Sequence, residues 1–149
     1  MLQNLFVYGT LMRAAADARL GRTERARLEA AGEWLGPARI TGCLYDLGAY
    51  PVLVAPPADV AARPDHATVH GEVFRLRAPA MTFRWLDVYE GIPPGKTTGA
   101  EYERGIAKVH LDDGDQIEAW VYRSFGPIGR ARHIPNGRWR PQEAAPKKV

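Results

Sequence analysis

The sequence has little of what disulfide-rich or metal-binding proteins require. Its 149 residues contain one cysteine, Cys43, which can form no internal disulfide and which we interpret as a small buried side chain. The histidines are scattered and form no i, i+4 pair of the kind that binds zinc on a helix. They are His66, His70, His110 and His133. We therefore predict no metal site and expect a reducing compartment.

Long apolar segments are also missing. No apolar run approaches the ~20 residues that a helix needs to cross a bilayer. Residues 1–7 lack the basic region, apolar core and small-residue cleavage site of a signal peptide. We expect a soluble, cytoplasmic protein with no membrane partner.

Positive charge is in modest excess, with a formal net charge of +3. Part of this excess lies near the C-terminus, between residues 130 and 148. That segment lacks the repeated aromatic side chains on which single-stranded nucleic acids stack. We interpret it as a solvated tail and predict no nucleic-acid partner. The sequence does not indicate an oligomeric state.

The length and composition are those of a globular chain. Hydrophobic residues make up 46% of it and charged residues 25%. A chain of this size fits one domain and can bury roughly two-thirds of its unfolded surface. We predict a single domain over residues 1–149, in which residues from about 127 form a peripheral C-terminal extension.

Short apolar runs rich in β-forming residues predict most of the secondary structure. Residues 12–34 are instead rich in helix formers, interrupted at Gly21, and predict a broken helix ending near Gly36 and Pro37. A second helix is expected over 79–90, and an Asp-Gly turn within 112–115 predicts a hairpin. Strands or extended runs are expected at 5–8, 38–47, 52–54, 69–76, 102–111 and 116–122, and loops at 48–51, 55–65 and 93–99. This pattern predicts an α+β fold with a mostly antiparallel sheet that could close into a barrel.

The first candidate for chemistry is the segment Tyr8, Gly9, Thr10 and Leu11, where a strand ends in glycine before helical sequence. Glycine lets the backbone turn sharply and lets a ligand approach it closely. Exposed N–H groups in such a turn, helped by a helix start, can hold an anion such as a carboxylate. Taken alone, these four residues fit an ordinary strand-to-helix turn at least as well.

The second candidate is Glu90, in the last turn of the helix expected over 79–90, near Trp85 and Tyr89. The C-terminal end of a helix carries partial negative charge, which together with burial would raise the pKa of a carboxyl group. A raised pKa suits a general base working near neutral pH. A surface glutamate before the helix stop at Gly91 is the alternative.

Six segments in order resemble the γ-glutamylcyclotransferase-like family, which includes the AIG2-like proteins. The resemblance starts with the strand and loop at 6–11 and continues with G-x-L-Y-x-x-G-x-Y-P at 42–51. The further segments are 69–74, 86–91, 102–104 and 119–122, so that the resemblance covers roughly residues 5–125. It implies a small mixed, mostly antiparallel, barrel-like sheet flanked by helices around one cavity. It also implies that no metal or organic cofactor is needed.

The resemblance further implies a reaction and a set of site residues. A γ-glutamyl amide is cleaved when its own α-amine attacks the side-chain carbonyl, which gives 5-oxoproline and a free amine. This makes the expected protein a lyase-type acyltransferase acting on a small-molecule γ-glutamyl substrate. Glu90 is implied as the catalytic acid/base, and the substrate-binding residues are implied to be Tyr8, Gly9, Thr10, Leu11, Tyr50, Tyr102 and Tyr122.

Other polar residues are weaker candidates. Glu72 shares a face of its expected strand with Phe74, so we interpret it as an edge-strand or ion-paired residue before a cavity residue. For Asp87 we favour capping or solvent exposure, and for Lys96 a solvated loop position that could otherwise meet an acidic group. The alternative to an enzyme is a non-catalytic binding module for a γ-glutamyl or related small acid.

Overall fold

The computed structural model describes residues 1–48, 50–55, 67–124, 129 and 131–140. Two α-helices lie in these ranges, α1 (Arg22–Ala31) and α2 (Pro79–Tyr89), with a short 3₁₀ turn at Arg13–Ala15. The strands are β1 (Asn4–Val7), β2 (Gly32–Thr41), β3 (Cys43–Asp46), β4 (Pro51–Val54), β5 (Thr68–Leu76), β6 (Tyr102–Leu111), β7 (Gln116–Ser124) and β8 (Arg132–His133). The loop expected over 55–65 and the end of the basic tail fall almost entirely outside the described residues.

Five strands close into a barrel in the order β1-β5-β2-β6-β7. Neighbours pair antiparallel except at the closure, where β1 and β7 run parallel and Leu5 lies opposite Trp120. Alternate residues of each strand point inward and fill the barrel, among them the buried Phe6, Val69 and Val73. The predicted α+β fold with a mixed, mostly antiparallel, barrel-like sheet is confirmed.

The first helical region ends earlier than predicted. Helix α1 stops at Ala31, and the chain continues from Gly32 as a long strand instead of turning at Gly36 and Pro37. These two residues lie inside β2, where the pairing with β5 shifts register between Trp34 and Gly36. Gly36 has φ of 116°, a conformation that favours glycine. The residue skipped by the pairing is Leu35, so a β-bulge lies directly before the Gly-Pro pair and the strand continues through both residues.

A second sheet packs beside the barrel. The strand predicted over 38–47 is divided at Gly42 between the two sheets, because β2 ends in the barrel and β3 joins the order β4-β3-β8. A side chain at Gly42 would overlap Leu53, which explains why the crossing point has none. Of the extension predicted to be peripheral, residues 131–140 contact this sheet and the barrel: β8 pairs with β3, and Trp139 is buried.

Helix α2 has the predicted position, and one of its faces is buried. Met81 lies away from that face and is 66% exposed. The side chains that pack against the barrel are Phe83 and Leu86, with Asp87 beside them. Neither described helix has the length and apolar composition needed to cross a membrane.

Candidate active site

A cavity of about 280 Å³ lies where the end of β1, the start of β4, the end of α2 and the start of β6 meet. Every residue that the sequence singled out for the site lines it, although these residues come from distant parts of the chain. From the sequence these are Tyr8, Gly9, Thr10, Leu11, Tyr50, Glu90, Tyr102 and Tyr122, and the further lining residues are Phe6, Val7, Leu20, Pro51, Tyr89, Gly91 and Glu101.

The loop after β1 forms one wall of the cavity. The Met12 amide donates to the Gly9 carbonyl at 3.1 Å, which closes a turn over residues 9–12. A side chain on Gly9 would come within 2.8 Å of the Pro51 ring, so glycine is needed for the loop to pack against β4. Within the described part of the chain, the amides of Gly9, Thr10 and Leu11 donate no backbone hydrogen bond. The loop thus offers N–H groups at the cavity wall.

The sequence predicted that a helix start after this loop would help its amides hold an anion. In the described chain a short 3₁₀ turn follows instead, and its first amides donate to the side chain of Glu72. Its carboxylate accepts hydrogen bonds from the Arg13 amide at 2.6 Å and the Ala14 amide at 3.2 Å, and from the Trp34 indole N–H at 3.2 Å. Glu72 is buried in an interior barrel strand, so the expected edge position is wrong, and it does not line the cavity.

The loop is held from behind by Arg25, a residue that the sequence analysis missed. Its guanidinium is buried and donates to the Thr10 carbonyl at 2.5 Å and to the Ala18 carbonyl at 2.7 Å. A charged group with several acceptors can fix a loop that has few regular backbone hydrogen bonds. The only sequence signal was an arginine inside a polar helix, which is ordinary for an exposed face.

Glu90 is placed by the way α2 ends. Gly91 has φ of 77°, its amide donates to Val88, and the Ile92 amide donates to the Asp87 carbonyl at 2.8 Å. This pair of bonds is a Schellman motif, in which the residue after the cap takes the left-handed conformation. Ile92 is buried and anchors the motif. The predicted helix stop at Gly91 is confirmed, and it fixes Glu90 as the C-cap residue at the cavity wall.

The environment of Glu90 favours its neutral form. Burial is the main cause that raises the pKa of its carboxyl group to about 8, and the negative charges of Glu101 and Asp87 add to this effect. No described residue offers a hydrogen bond or positive charge that would counter it. Glu90 is therefore an acid whose ionisation lies close to neutral pH, as general acid/base chemistry requires.

Three buried tyrosines give the cavity its shape, and their hydroxyl groups are held by the protein. Tyr8 donates to the Tyr122 carbonyl at 2.6 Å and accepts from the Leu53 amide at 3.3 Å. Tyr102 donates to the Pro51 carbonyl at 3.2 Å. Burial is the main cause that raises the pKa of each of these three phenols, so they stay neutral. The bonds to Leu53 and Pro51 join the barrel to the second sheet.

Behind the cavity, Asp87 forms a buried ion pair, contrary to the expected capping or exposed position. Arg104 approaches it with two nitrogens, at 2.9 and 3.1 Å, and the Tyr122 hydroxyl donates to it at 2.6 Å. The Arg104 guanidinium lies over the rings of Phe83 at 4.0 Å and Trp120 at 4.6 Å. Asp87 is thus fully engaged by partners, unlike Glu90 in the same helix turn.

The sequence analysis missed two polar lining residues. Tyr89 lies within 3.2 Å of the Thr10 hydroxyl and links the loop to α2. Glu101 stands beside Tyr50, whose hydroxyl donates to both of its carboxylate oxygens at 3.3 Å. Both residues could have been found from the sequence, because Tyr89 directly precedes Glu90 and Glu101 directly precedes Tyr102. In the described part of the chain, no group of three potential metal-binding side chains occurs.

Comparison with known proteins finds a family and a relative that each match most of the chain. The family described as "Gamma-glutamyl cyclotransferase, AIG2-like" matches residues 5–141. The Gamma-glutamylcyclotransferase family protein YtfP of Escherichia coli K12 is 27% identical over 142 residues, which cover 91% of this chain and 94% of that protein.

Two solved structures share the fold. An AIG2-like protein from Mus musculus superposes with a TM-score of 0.65 at 18% identity, over 93% of this chain and 88% of that one. YkqA from Bacillus subtilis superposes with a TM-score of 0.62 at 23% identity and covers 93% of this chain. This chain spans 40% of the length of YkqA.

Proposed function

We propose that this chain, which belongs to the gamma-glutamyl cyclotransferase, AIG2-like family, cleaves a γ-glutamyl amide to 5-oxoproline and a free amine. The observation that carries the proposal is Glu90, a carboxyl group with a pKa raised to about 8 that has no hydrogen-bond or ion-pair partner among the described residues. It lines the same cavity as the loop at residues 9–11, whose amides donate no backbone hydrogen bond within the described part of the chain.

The cavity would hold the substrate by its α-amino-acid end. In the proposed complex, the amides of Gly9, Thr10 and Leu11 bind the α-carboxylate, or the oxyanion that develops at the γ-carbonyl. The α-ammonium faces Glu90. Because a nearby positive charge favours the ionised carboxylate, the substrate itself would lower the pKa of Glu90 and make it the base.

The proposed reaction is intramolecular. Glu90 removes a proton from the α-ammonium, and the freed amine attacks the γ-carbonyl carbon. A C–N bond forms in the five-membered ring, and the amide C–N bond breaks as Glu90 gives the first proton to the departing nitrogen. The ring nitrogen then loses its second proton to the Glu90 carboxylate, which passes it to the released amine, so that the products are neutral at the lactam nitrogen and cationic at the amine. Because nucleophile and electrophile belong to one molecule, the enzyme has mainly to hold a folded conformer. A positioned acid/base adds roughly 10²–10⁴-fold.

The test is a panel of γ-glutamyl amides incubated with the protein in water enriched in ¹⁸O, with products identified by mass. Cyclisation releases unlabelled 5-oxoproline and one equivalent of amine. Hydrolysis would instead give glutamate carrying ¹⁸O, which would contradict the proposal. Binding of these amides without any product would show the non-catalytic binding module, and that outcome would also reject the proposed activity.

A further inference from the structure

The cavity changes character from its interior to its opening. The interior is formed by buried side chains such as Phe6, Tyr8 and Tyr102. The lining residues that are exposed are Leu20, Gly91 and Glu101, so these mark the opening. Glu101 is the charged group among the three. A group that extends out of the cavity between these residues lies near this carboxylate.

Glu101 is held in place at this opening. The Tyr50 hydroxyl donates to its two carboxylate oxygens, each at 3.3 Å. The segment before it folds tightly, because the Gly99 amide donates to the Tyr102 carbonyl at 2.8 Å. A side chain at Gly99 would overlap the Gly91 carbonyl, so this turn packs directly on the residue that follows Glu90. The backbone that carries Glu101 therefore packs beside the backbone that carries Glu90.

The charge at the opening is negative and uncompensated within the described lining. That lining contains Glu90 and Glu101 and no lysine, arginine or histidine. Lys96, in the neighbouring loop, is exposed and lies outside the lining. The field of Glu101 reaches inward, since its charge contributes to raising the pKa values of Glu90 and Tyr8.

The proposed function sets the direction in which a substrate lies. If the loop and Glu90 hold the γ-glutamyl group, the group attached to the amide nitrogen must leave through the opening. We propose that Glu101, positioned by Tyr50, is a specificity-determining residue that favours a leaving amine with a positive charge over one with a carboxylate. This inference rests on the proposed function.

Three probes of nearly equal length separate charge from size. They are the γ-glutamyl amides of 1,5-diaminopentane, pentylamine and 6-aminohexanoate, whose free ends are cationic, neutral and anionic. We expect kcat/KM to fall in that order, with about a tenfold difference between the first and last at low salt. The difference should shrink as the salt concentration rises, since exposed charges are screened.

Variants assign the preference to one side chain. Glu101→Gln should reduce the cation-to-anion ratio about three- to fivefold, and Glu101→Lys should invert it. The matched control is Glu118→Gln, which removes an exposed carboxylate on β7 that does not line the cavity. It should leave the ratio unchanged. The ratio is the sensitive quantity, because any effect of Glu101 on Glu90 changes the rates of all three probes alike.

The same probes are measured by calorimetric binding to the unmodified protein and to Glu101→Gln. An equal response to all three probes, or a ratio that survives Glu101→Gln, overturns the assignment of Glu101. Failure of every probe to give 5-oxoproline overturns the proposed reaction instead. In that case, the order of the binding constants still decides whether Glu101 selects by charge.

Discussion

Asp87 and Glu90 lie one helical turn apart at the same end of α2, and they are in opposite situations. Asp87 is paired with Arg104 through two hydrogen bonds and accepts a third from Tyr122. Glu90 has no such partner in the described structure, and its pKa is raised to about 8. The behaviour of a carboxyl group is therefore decided by its partners and not by its proximity to a helix end.

The comparison also suggests why the two residues occur together. Asp87 and its partners tie α2 to β6 and β7, which holds the helix end in place. Its negative charge adds to the rise in the pKa of Glu90. One carboxylate is thus a fixed structural charge, while the other is left free to gain and lose a proton.

The largest expected effect is on turnover in Glu90→Gln. The variant keeps the size and polarity of the side chain but cannot accept the proton of the α-ammonium. We expect the release of 5-oxoproline to fall by roughly 10²–10⁴-fold, with the fold unchanged. Steady-state kinetics and far-ultraviolet circular dichroism measure the two properties. Full turnover in this variant would remove Glu90 from the mechanism.

The next effect is on stability in Asp87→Asn. Removing one partner leaves the Arg104 guanidinium buried without its counter-charge, so we expect a loss of about 3 kcal/mol in the free energy of unfolding. Urea denaturation measures it. Asp113→Asn, in the exposed hairpin turn, is the control and should cost less than about 1 kcal/mol. Equal losses in the two variants would show that the ion pair stabilises the fold no more than an exposed carboxylate does.

A third effect concerns pH. The folded-state pKa of Glu90 lies above its unfolded value of 4.5, so its contribution to stability is complete below about pH 4.5 and is lost as the pH rises towards 8. Glu90→Gln does not titrate. We expect it to gain about 3–4 kcal/mol over the unmodified protein between pH 5 and pH 8.5, at about 1.36 kcal/mol for each pH unit between the two pKa values. Thermal unfolding at several pH values checks this, and a constant difference would contradict the raised pKa.

The smallest effect is expected for Tyr122→Phe. The ring stays, but Asp87 loses a hydrogen bond and keeps its two bonds to Arg104. We expect a loss of about 1–2 kcal/mol in the free energy of unfolding and a change in turnover of less than tenfold. A loss of turnover as large as that of Glu90→Gln would mean that the hydroxyl takes part in the reaction.

Much of the fold could be read from local patterns. The strand at the N-terminus, the helix over Pro79–Tyr89 and the Asp-Gly hairpin are all where the sequence put them. Each depends on contacts between near neighbours, which the order of residues displays directly. The error at Gly36 and Pro37 shows the limit, because pairing with β5 carries the strand through a typical breaker, next to a bulge at Leu35.

The same distinction holds for the site. The glycine loop after the first strand and the helix stop that presents Glu90 follow from short segments of sequence, since both depend on local backbone conformation. That Glu72 caps a turn, that Asp87 is paired and that Glu101 stands at the opening depends on contacts between segments far apart in the chain. A sequence shows that a carboxylate is present but does not show its partners. What it does is set by groups brought to it from distant parts of the chain, and by how far water is excluded around it.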